Sequence, residues 1–526
     1  MDQLSRNSNK KTLLAVLAPE RRLLALILIT LGLRYVFAAA TGLGVDEAYT
    51  VATARPLALS AFDHPPMTWW VVHFAGVLFG ESDLALRAPF ILLFALTTWL
   101  MFALTRRLFG AEAGFWAAFA LNLSPALGLT DGSWILPDAP LLPALLGCAL
   151  ALAQVFFHGD MFFDGDRAKA APYWLLAGLC AGLAMLSKYH GVLVFPGVLL
   201  FLLFSPRQRF WLATPWPWLA GLIALACFAP VLVWNAQHDW VSLLFQGGRS
   251  GAPRLNLVAP LALIGLQCLY LAPWLFFPLA ALFFRALARG AAEEKGFFLA
   301  CLAATPIILF TLVAFWSSKR VLPHWVAPGY LLIFPLLGRE IAERLARGAP
   351  NLQHGLAAAA VFVVIGVGLI YALPRVTPAA LAGTRYPLFE LLDWDQAAQQ
   401  LASRGLLREK TFVAATRWLD AGKLDYALRG AAPVLCLSDD PRGFGLLRDA
   451  QAFVGQDAVL LAPKMSPDDA RAHYGKYFDS LEPLSPITID QGGAPAITLD
   501  AYLAKSFHDP APEFSLRRQV KDPARP

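Results

Sequence analysis

Charge is scarce in this chain of 526 residues, because only 15% of them are Asp, Glu, Lys or Arg. Globular soluble domains carry about 25% charged residues, so the composition excludes an ordinary soluble protein. Hydrophobic residues make up 57% of the chain, and the mean hydropathy is +0.54. Apolar windows of about 20 residues, long enough to cross a bilayer, recur along it. The sequence therefore predicts a polytopic α-helical membrane protein.

Cysteine clusters and nucleotide-binding motifs are also lacking. The six cysteines are scattered and show neither metal-site spacing nor a disulfide framework. No phosphate-binding loop or Rossmann glycine fingerprint lies in a suitable context, so we expect no nucleotide cofactor. The net charge of +6 does not indicate nucleic-acid binding, because the basic residues cluster at the ends of apolar segments, where membrane orientation requires them.

About eleven apolar segments are predicted to span the membrane. One set of linkers between them, including 1–22, 158–172 and 285–295, is rich in Lys and Arg. Positively charged linkers stay in the cytoplasm, so we expect the N-terminus on that side and the first segment to be an uncleaved anchor. The predicted spans are approximately 23–41, 87–105, 112–130, 139–157, 173–187, 191–204, 213–233, 256–284, 296–316, 325–338 and 355–373.

The remaining linkers are predicted to lie on the outer face, and the longest of them is 42–86. Within it, the apolar, Trp-rich stretch from Pro66 to Gly80 is 15 residues long, which is short for a span. We therefore expect interfacial helices in this linker. If the stretch did cross the membrane, Asp46 and Asp138 would lie on opposite sides.

Hydropathy drops after residue 374, which divides the chain into a membrane domain, 1–374, and a soluble outer domain, 375–526. Short β-branched or apolar runs in the second part predict buried strands, and helices are expected between them. We therefore expect a small α/β domain. The predicted strands are 412–415, 433–437, 458–461 and 496–499, and the predicted helices are 393–405 and 421–430.

Two acidic sites lie in the outer linkers. Asp46 and Glu47 follow the first span, and Asp138 lies in the sequence Pro-Asp-Ala-Pro. Such carboxylates can act as a general base or bind a metal ion. Alternatively, they only begin helices, because acidic residues favour helix N-termini and Pro suits the first turn. Spacing alone leaves both interpretations open.

Cationic residues lie in the same linkers. Lys188 interrupts a long apolar run, and Lys319 and Arg320 lie close together on the side expected to be poor in positive charge. Both places favour an anion such as phosphate, although Lys188 could instead snorkel from a tight hairpin. Arg34, inside the first span, is either another phosphate ligand or a partner of the Asp46–Glu47 pair.

Aromatic and amide residues surround His238 in the run from Trp234 to Trp240. Such a loop can stack on a sugar, but Trp also belongs at membrane interfaces for structural reasons. His64, which precedes two prolines, is a candidate metal ligand or acid–base group, although a single His is more often neither.

Several of these short motifs, taken in order, resemble the bacterial members of the protein O-mannosyltransferase superfamily. These are membrane glycosyltransferases of the C-type fold, and they are similar to the aminoarabinose and galacturonosyl transferases of lipid A. The motifs are Asp46-Glu47-Ala48-Tyr49, Asp63-His64-Pro65-Pro66, Arg87-Ala88-Pro89, Pro137-Asp138-Ala139-Pro140, Ser187-Lys188-Tyr189, Trp234-Asn235-Ala236-Gln237-His238 and Pro323-His324-Trp325. They span residues 40 to about 340, whereas the tail resembles the family only as a polar periplasmic domain.

The resemblance implies a polyprenyl-phosphate-sugar donor and an acceptor on the periplasmic face of a bacterial inner membrane. It implies that Asp46 and Asp138 are the catalytic carboxylates and that Lys188 faces the donor phosphate. Metal use is left open, since Asp46, Glu47, Asp138 and His64 could form an oxygen-rich site for a divalent ion or form no metal site. The other expected phosphate- or substrate-binding residues are Lys319, Arg320, His324, Tyr49, His64, Asn235 and Arg249.

The expected activity is transfer of a monosaccharide, with inversion, to lipid A, lipopolysaccharide core or another glycan. Transfer to a protein hydroxyl is an alternative, and a lipid-linked sugar flippase is an alternative of another class. The matching halves of many transporters are not visible in the sequence, which favours the enzyme. We expect a monomer in the bilayer, with no nucleic acid as partner.

Overall fold

The computed structural model describes residues 18–157, 167–248, 255–317, 320–376 and 387–508, together with residue 514. Up to residue 376 the chain is mostly helical, as predicted. The longer helices are Pro19–Ala39, Val45–Ala54, Met67–Phe79, Asp83–Phe109, Ala111–Asn122, Asp138–Phe156, Ala171–Ser187, Val194–Phe204, Trp216–Gln237, Val241–Gly248, Ala259–Leu271, Pro273–Arg289, Glu294–Val313, Pro323–Leu331, Phe334–Ala346 and Pro350–Val376.

Six helical stretches of the described chain are long and apolar enough to cross a membrane, judged by length and composition. Four shorter apolar helices accompany them, and one of these, Met67–Phe79, is the Trp-rich stretch of the first outer linker. The number of spans, predicted as eleven, stays a prediction. The basic residues 1–17 and 158–166 lie outside the described part of the chain.

Three predicted spans are not single helices. In the segment 112–130 the α-helix ends at Asn122, and a π-helical turn follows at Pro125–Thr130. The segment 256–284 is interrupted at Ala272, whose φ of +73° is incompatible with a right-handed helix. Pro273 then begins the next helix, where its fixed φ suits the first turn. The segment 325–338 likewise contains the end of one helix at Leu331 and the start of another at Phe334. Hydropathy does not detect such breaks, because the residues on both sides are apolar.

The C-terminal part of the described chain folds into a five-stranded mixed sheet with the order β2-β1-β3-β5-β4. β1 pairs in parallel with β2 and β3, whereas β5 is antiparallel to β3 and β4. The four predicted strands are present, and both predicted helices are present as Asp395–Ser403 and Trp418–Leu428. The strands are β1 Thr411–Ala415, β2 Val434–Cys436, β3 Asp457–Ala462, β4 Phe478–Gln491 and β5 Ala494–Phe507.

β4 was not predicted from the sequence. Pro483 and Pro486 lie within this strand, and proline normally argues against a strand because it cannot donate to the ladder. β4 is tolerated because it lies at the edge of the sheet, with β5 as its neighbour. Gly492 and Gly493, with φ values of +58° and +82°, form the two-residue turn between the strands.

The C-terminal unit, residues 387–508, packs tightly onto the first outer linker. Its docking helix, Trp418–Leu428, lies against the first-loop helix, Val45–Ala54. At Gly422 an added Cβ would lie 2.7 Å from the backbone nitrogen of Tyr49, so only glycine permits this approach. The buried Lys423 donates to the carbonyl oxygens of Leu43 and Leu392. The two elements consequently share one hydrophobic core, which contains Ala48 and Tyr49 as well as Ala421 and Leu424.

Candidate functional site

A cavity of about 420 Å³ lies between the first-loop helix, the ends of several membrane helices and the C-terminal unit. Its walls come from the first outer linker, from 130–138, from 188–190 and from 322–325, and the C-terminal unit adds Trp418 and Arg442. The cavity therefore brings together residues that are far apart in the chain. The predicted site residues that it contains are Asp46, Glu47, Tyr49, His64, Asp138, Lys188 and His324.

Asp46 and Glu47 are adjacent in sequence but lie in opposite environments. Asp46 is an exposed residue in the first turn of the first-loop helix, and its exposure is to the cavity. Burial of the surrounding site, together with the nearby charge of Asp63, raises the pKa of the Asp46 carboxyl. Within the described residues, its carboxylate forms no ion pair. Asp46 is thus available to a substrate.

Glu47 is 1% exposed, and its carboxylate joins separate segments of the protein through hydrogen bonds. Its Oε1 accepts hydrogen bonds from Arg87 Nε at 2.8 Å and from the Ile135 nitrogen at 3.0 Å. Its Oε2 accepts from Arg87 Nη2 at 2.5 Å and from the Gly44 nitrogen at 2.6 Å. Although burial works to raise the pKa of Glu47, the Arg87 charge and these hydrogen bonds lower it overall. The carboxylate therefore stays ionised and is fully occupied by the protein.

Lys188 and Asp138 form a buried ion pair in the cavity wall. The Lys188 ammonium donates to both carboxylate oxygens of Asp138 at 2.8 Å, and the two residues are 3% and 7% exposed. Lys188 follows the helix Ala171–Ser187, and Asp138 begins the helix Asp138–Phe156. Asp138 therefore begins a helix and also forms an ion pair in the cavity wall, while its catalytic role stays a prediction.

Asp131 is a further carboxylate of the cavity wall, and it was not predicted from the sequence. It is 2% exposed, and burial, with the neighbouring Asp138, raises its pKa well above the ordinary range, although Lys188 opposes this shift. The preceding π-helical turn, Pro125–Thr130, is held by Arg34, which donates to the Gly128 oxygen and to Asn122. Of the two alternatives for Arg34, the pairing with Asp46 or Glu47 is thus wrong, and a role as phosphate ligand stays a prediction.

The C-terminal unit closes the cavity at a junction around Tyr49. The Tyr49 hydroxyl donates to Asp63 Oδ1 at 3.3 Å and accepts from the Gly443 nitrogen at 3.0 Å. Arg442 Nη1 lies 3.6 Å from Asp63 Oδ2, and its guanidinium lies 3.9 Å from the centroid of the Trp418 ring. The junction thus joins the first outer linker to a loop almost 400 residues later in the chain.

Two predicted binding residues in the described part of the chain do not line the cavity, and two more lie outside that part. Asn235 is fully buried and joins two helices, because it donates to the Val231 oxygen at 2.9 Å and accepts from the Leu243 nitrogen at 3.3 Å. Arg320 is exposed and does not line the cavity. Arg249 and Lys319 lie outside the described residues. Their roles stay predictions.

Trp234, for which sugar stacking and a structural role were both considered, stacks on the His238 ring, with ring centroids 4.1 Å apart.

The predicted metal ligands do not form a cluster suited to a metal ion. In the described part of the chain, no group of three or more His, Cys, Asp or Glu residues is arranged to hold one. Glu47, one of the four candidates, uses both of its oxygens for four hydrogen bonds to the protein. Metal use stays a prediction, and no step proposed below depends on it.

Part of the chain matches a known family. Residues 63–234 match the model of the dolichyl-phosphate-mannose-protein mannosyltransferases. The lipid A galacturonosyltransferase RgtD of Rhizobium johnstonii is 26% identical over 297 residues, which are 56% of this chain and 59% of that protein. An undecaprenyl phosphate-alpha-4-amino-4-deoxy-L-arabinose arabinosyl transferase of Edwardsiella ictaluri is 28% identical over 349 residues, 63% of this chain and 58% of that protein. The chain thus spans about six-tenths of the length of these curated relatives.

Solved structures define the fold. ArnT from Cupriavidus metallidurans in the apo state matches with a TM-score of 0.62 and 14% identity, over 92% of this chain and 98% of that one. The same protein bound to undecaprenyl phosphate matches with a TM-score of 0.60 and 17% identity, over 91% and 97%. The protein therefore has the C-type fold of membrane glycosyltransferases. The resemblance inferred from the motifs is confirmed by the family model, the relatives and this fold.

Proposed function

We propose that the protein is an inverting glycosyltransferase of a bacterial inner membrane, which transfers a monosaccharide from a polyprenyl phosphate to an acceptor on the periplasmic face. The observation that carries the proposal is the cavity, in which the available carboxylate of Asp46 shares a recess with the cations Lys188 and Arg442. Both relatives are sugar transferases by name, one for lipid A and the other for a sugar on undecaprenyl phosphate. These names favour lipid A or another lipopolysaccharide glycan as acceptor over a protein hydroxyl.

The proposed orientation has the N-terminus in the cytoplasm and the C-terminal unit in the periplasm, with eleven spans between them in a monomeric protein. The described basic linkers support this arrangement, since Arg207, Lys295 and Arg339, from three different linkers, line one common recess. The outer linkers meet at the active cavity instead. Such segregation of linkers is expected if each set lies on its own side of the membrane.

In the proposed reaction, an acceptor oxygen attacks the anomeric carbon of the donor sugar from the side opposite the lipid phosphate. The bond from that carbon to the phosphate oxygen breaks, and the lipid phosphate leaves with the electron pair. Its negative charge needs stabilising more than it needs a proton. Lys188 has three donors, and Asp138 accepts two of its hydrogen bonds. The third donor can therefore reach a phosphate oxygen.

Asp46 is proposed to act on the acceptor. If the acceptor is a hydroxyl, Asp46 accepts its proton as the general base. The raised pKa of the Asp46 carboxyl makes it a stronger base than an ordinary aspartate. If the acceptor is a phosphate, which is already a nucleophile, Asp46 instead orients it. The two cases differ in the pH dependence of sugar transfer. Protonation of the Asp46 carboxylate at low pH abolishes transfer only if Asp46 is the general base.

The test is transfer by the purified protein from a radiolabelled undecaprenyl-phosphate sugar to lipid A. We expect Asp46→Asn to lower kcat at least 100-fold, within the range of acid–base contributions, with unchanged elution and melting. Asp468→Asn is the matched control, because that carboxylate is exposed in the C-terminal unit. Unchanged turnover in Asp46→Asn would refute the role of Asp46. Movement of the labelled lipid across liposomes without transfer would instead support a flippase.

A further inference from the structure

A second pocket adjoins the cavity that contains Asp46. Its volume is about 200 Å³, and Tyr49 and Trp69 line both spaces. The other walls come from the first outer linker, from the end of the helix Trp216–Gln237 and from the C-terminal unit at Gly443. Pockets for drug-sized ligands measure about 300–1,000 Å³. This pocket is therefore suited to a smaller unit, such as a single sugar ring.

Aromatic rings form much of its wall, so we name it the aromatic pocket. The indole Nε1 of Trp69 donates to Thr53 Oγ1 at 2.8 Å, and that of Trp70 donates to the Ala58 oxygen at 2.7 Å. Because the protein occupies these N–H groups, the rings offer a ligand apolar contact. The face of an aromatic ring carries partial negative charge, and the C–H groups of a pyranose ring pack against it. The aromatic residues of the lining are Tyr49, Phe62, Trp69, Trp70, Trp234 and His238.

The stacked rings of Trp234 and His238 are held against the pocket by a strained turn. Their ring planes are 13° apart. The next two residues, Asp239 and Trp240, have φ values of +52° and +61°, which are uncommon outside glycine. The Trp240 nitrogen donates to the Asn235 oxygen at 2.8 Å and closes the turn. Residues in such conformations persist where the surrounding structure holds them, often at ligand-binding sites.

Asp, Glu, Lys and Arg are lacking in the described lining of the aromatic pocket, whereas the neighbouring cavity contains both carboxylates and cations. One polar group of the lining is Ser60, which is 4% exposed. Its hydroxyl lies near that of Tyr189 but has no partner at hydrogen-bond distance. Leu57, also in the lining, is 57% exposed, so an apolar surface adjoins the pocket. These features suit an uncharged ring that carries hydroxyl groups and is attached to a lipid.

A sugar ring in the aromatic pocket is not the ring that reacts. In the proposed reaction, transfer takes place near Asp46 and Lys188, and neither of these residues lines the pocket. The donor carries one sugar, whose ring must lie in the cavity during transfer. A ring in the pocket therefore belongs to the acceptor. Because the two spaces share Tyr49 and Trp69, neighbouring rings of one glycan can occupy them together.

We propose that the aromatic pocket binds an uncharged sugar ring of a glycolipid acceptor, beside the ring that receives the monosaccharide. This inference rests on the proposed function and narrows its acceptor to a glycolipid with at least two sugar rings. It also gives the C-terminal unit a part in acceptor choice, since Gly443, Leu446 and Leu447 complete the wall.

The experiment compares Trp70→Leu with Trp218→Leu in the full-length protein. Trp218 is a matched control, because its Nε1 also donates to a backbone oxygen, that of Leu212, but it does not line the pocket. Transfer from a radiolabelled undecaprenyl-phosphate sugar is measured to lipid A, which has two sugar rings, and to a one-ring glycolipid with the same acyl chains. The readout is kcat/KM for lipid A divided by kcat/KM for the one-ring acceptor. We expect Trp70→Leu to lower this ratio about 3- to 10-fold, the effect of one aromatic contact, and Trp218→Leu to leave it unchanged.

The ratio separates binding in the pocket from a loss of structure, because a misfolded fraction lowers both activities equally. Trp70→Phe keeps a ring and should retain most of the preference for lipid A. If Trp70→Leu does not fold, Ser60→Ala decides the question, since loss of the buried hydroxyl should lower the ratio in the same direction. An unchanged ratio, or a raised KM for the donor with both acceptors, overturns this inference only. A wild type that transfers sugar to neither acceptor overturns the proposed function as well.

Discussion

Replacing Glu47 by alanine tests whether the two adjacent acidic residues have separate roles. The change removes an acceptor of four hydrogen bonds and leaves Arg87, which is 0% exposed, without its counter-charge. Arg87 retains the carbonyl oxygens of Ala38, Thr41 and Gly42 as partners. Those dipoles do not neutralise a buried guanidinium. The protein should therefore be less stable without any direct effect on a reacting group.

The expected loss is about 3–5 kcal/mol, the usual cost of removing one partner of a buried ion pair. At about 1.4 kcal/mol per tenfold change, this is roughly a hundred- to several-thousandfold change in the folding equilibrium. The hydrogen bonds and the ion pair of Glu47 also predict that the folded protein loses stability in acid. Because the pKa of Glu47 is lowered in the folded protein, its contribution is present above the pKa of the unfolded chain and is lost as the pH falls through the folded value.

The measurement is the melting temperature in detergent, followed by the monodisperse fraction that survives heating. Glu47→Ala should melt well below the wild type, and Asp46→Ala, its neighbour and control, should melt like the wild type. In Glu47→Leu combined with Arg87→Met, the loss should be smaller than the sum of the single losses, because no uncompensated charge stays buried. Additive losses, or a stable Glu47→Ala protein that is inactive, would refute the structural role.

Two further changes test the cavity wall and the docking of the C-terminal unit. Asp138→Asn should lower the melting temperature, because Lys188 is left buried and unpaired. Adding Lys188→Met to this variant should restore stability but not sugar transfer. Restored sugar transfer would contradict the proposed role of Lys188. Gly422→Ala should loosen the docking helix, because its Cβ would lie 2.7 Å from a backbone atom of Tyr49. Protease should then release the C-terminal unit faster than in the control Gly475→Ala, where the nearest atom is 3.7 Å away, and equal release would contradict the packing.

The convergence of Asp46, Tyr49, Asp138, Lys188 and His324 could be predicted from the sequence. Each lies in a linker that the charge pattern assigns to one face of the membrane, and apolar helices can bring the ends of distant segments together only on a shared face. The family motifs place the same residues in the same order. The prediction therefore needed no distances, because the bilayer itself limits where polar side chains can meet.

The separate roles of Asp46 and Glu47 could not be predicted in this way. Both are acidic residues in the first turn of one helix, and nothing local distinguishes them. Their roles diverge because Arg87 approaches one side of the helix from 40 residues away. Asp131 and Arg442 were missed for a similar reason. Asp131 is one polar residue in a short linker, and Arg442 lies among many charged residues of a polar tail, so only tertiary packing places them in the cavity.

Hydropathy divides the chain at residue 374, but residues from both sides of this division pack in one hydrophobic core. The first-loop helix belongs to the membrane part by position, yet its core residues Ala48 and Tyr49 lie in one cluster with Ala421 and Leu424 of the docking helix. The closest approach, at Gly422, allows no side chain between the two helices. Asp46 lies on this same helix, and Arg442 follows the docking helix in the chain. A shift of the C-terminal unit must therefore move Arg442 relative to Asp46, so the geometry of the proposed site depends on docking as much as on the membrane helices.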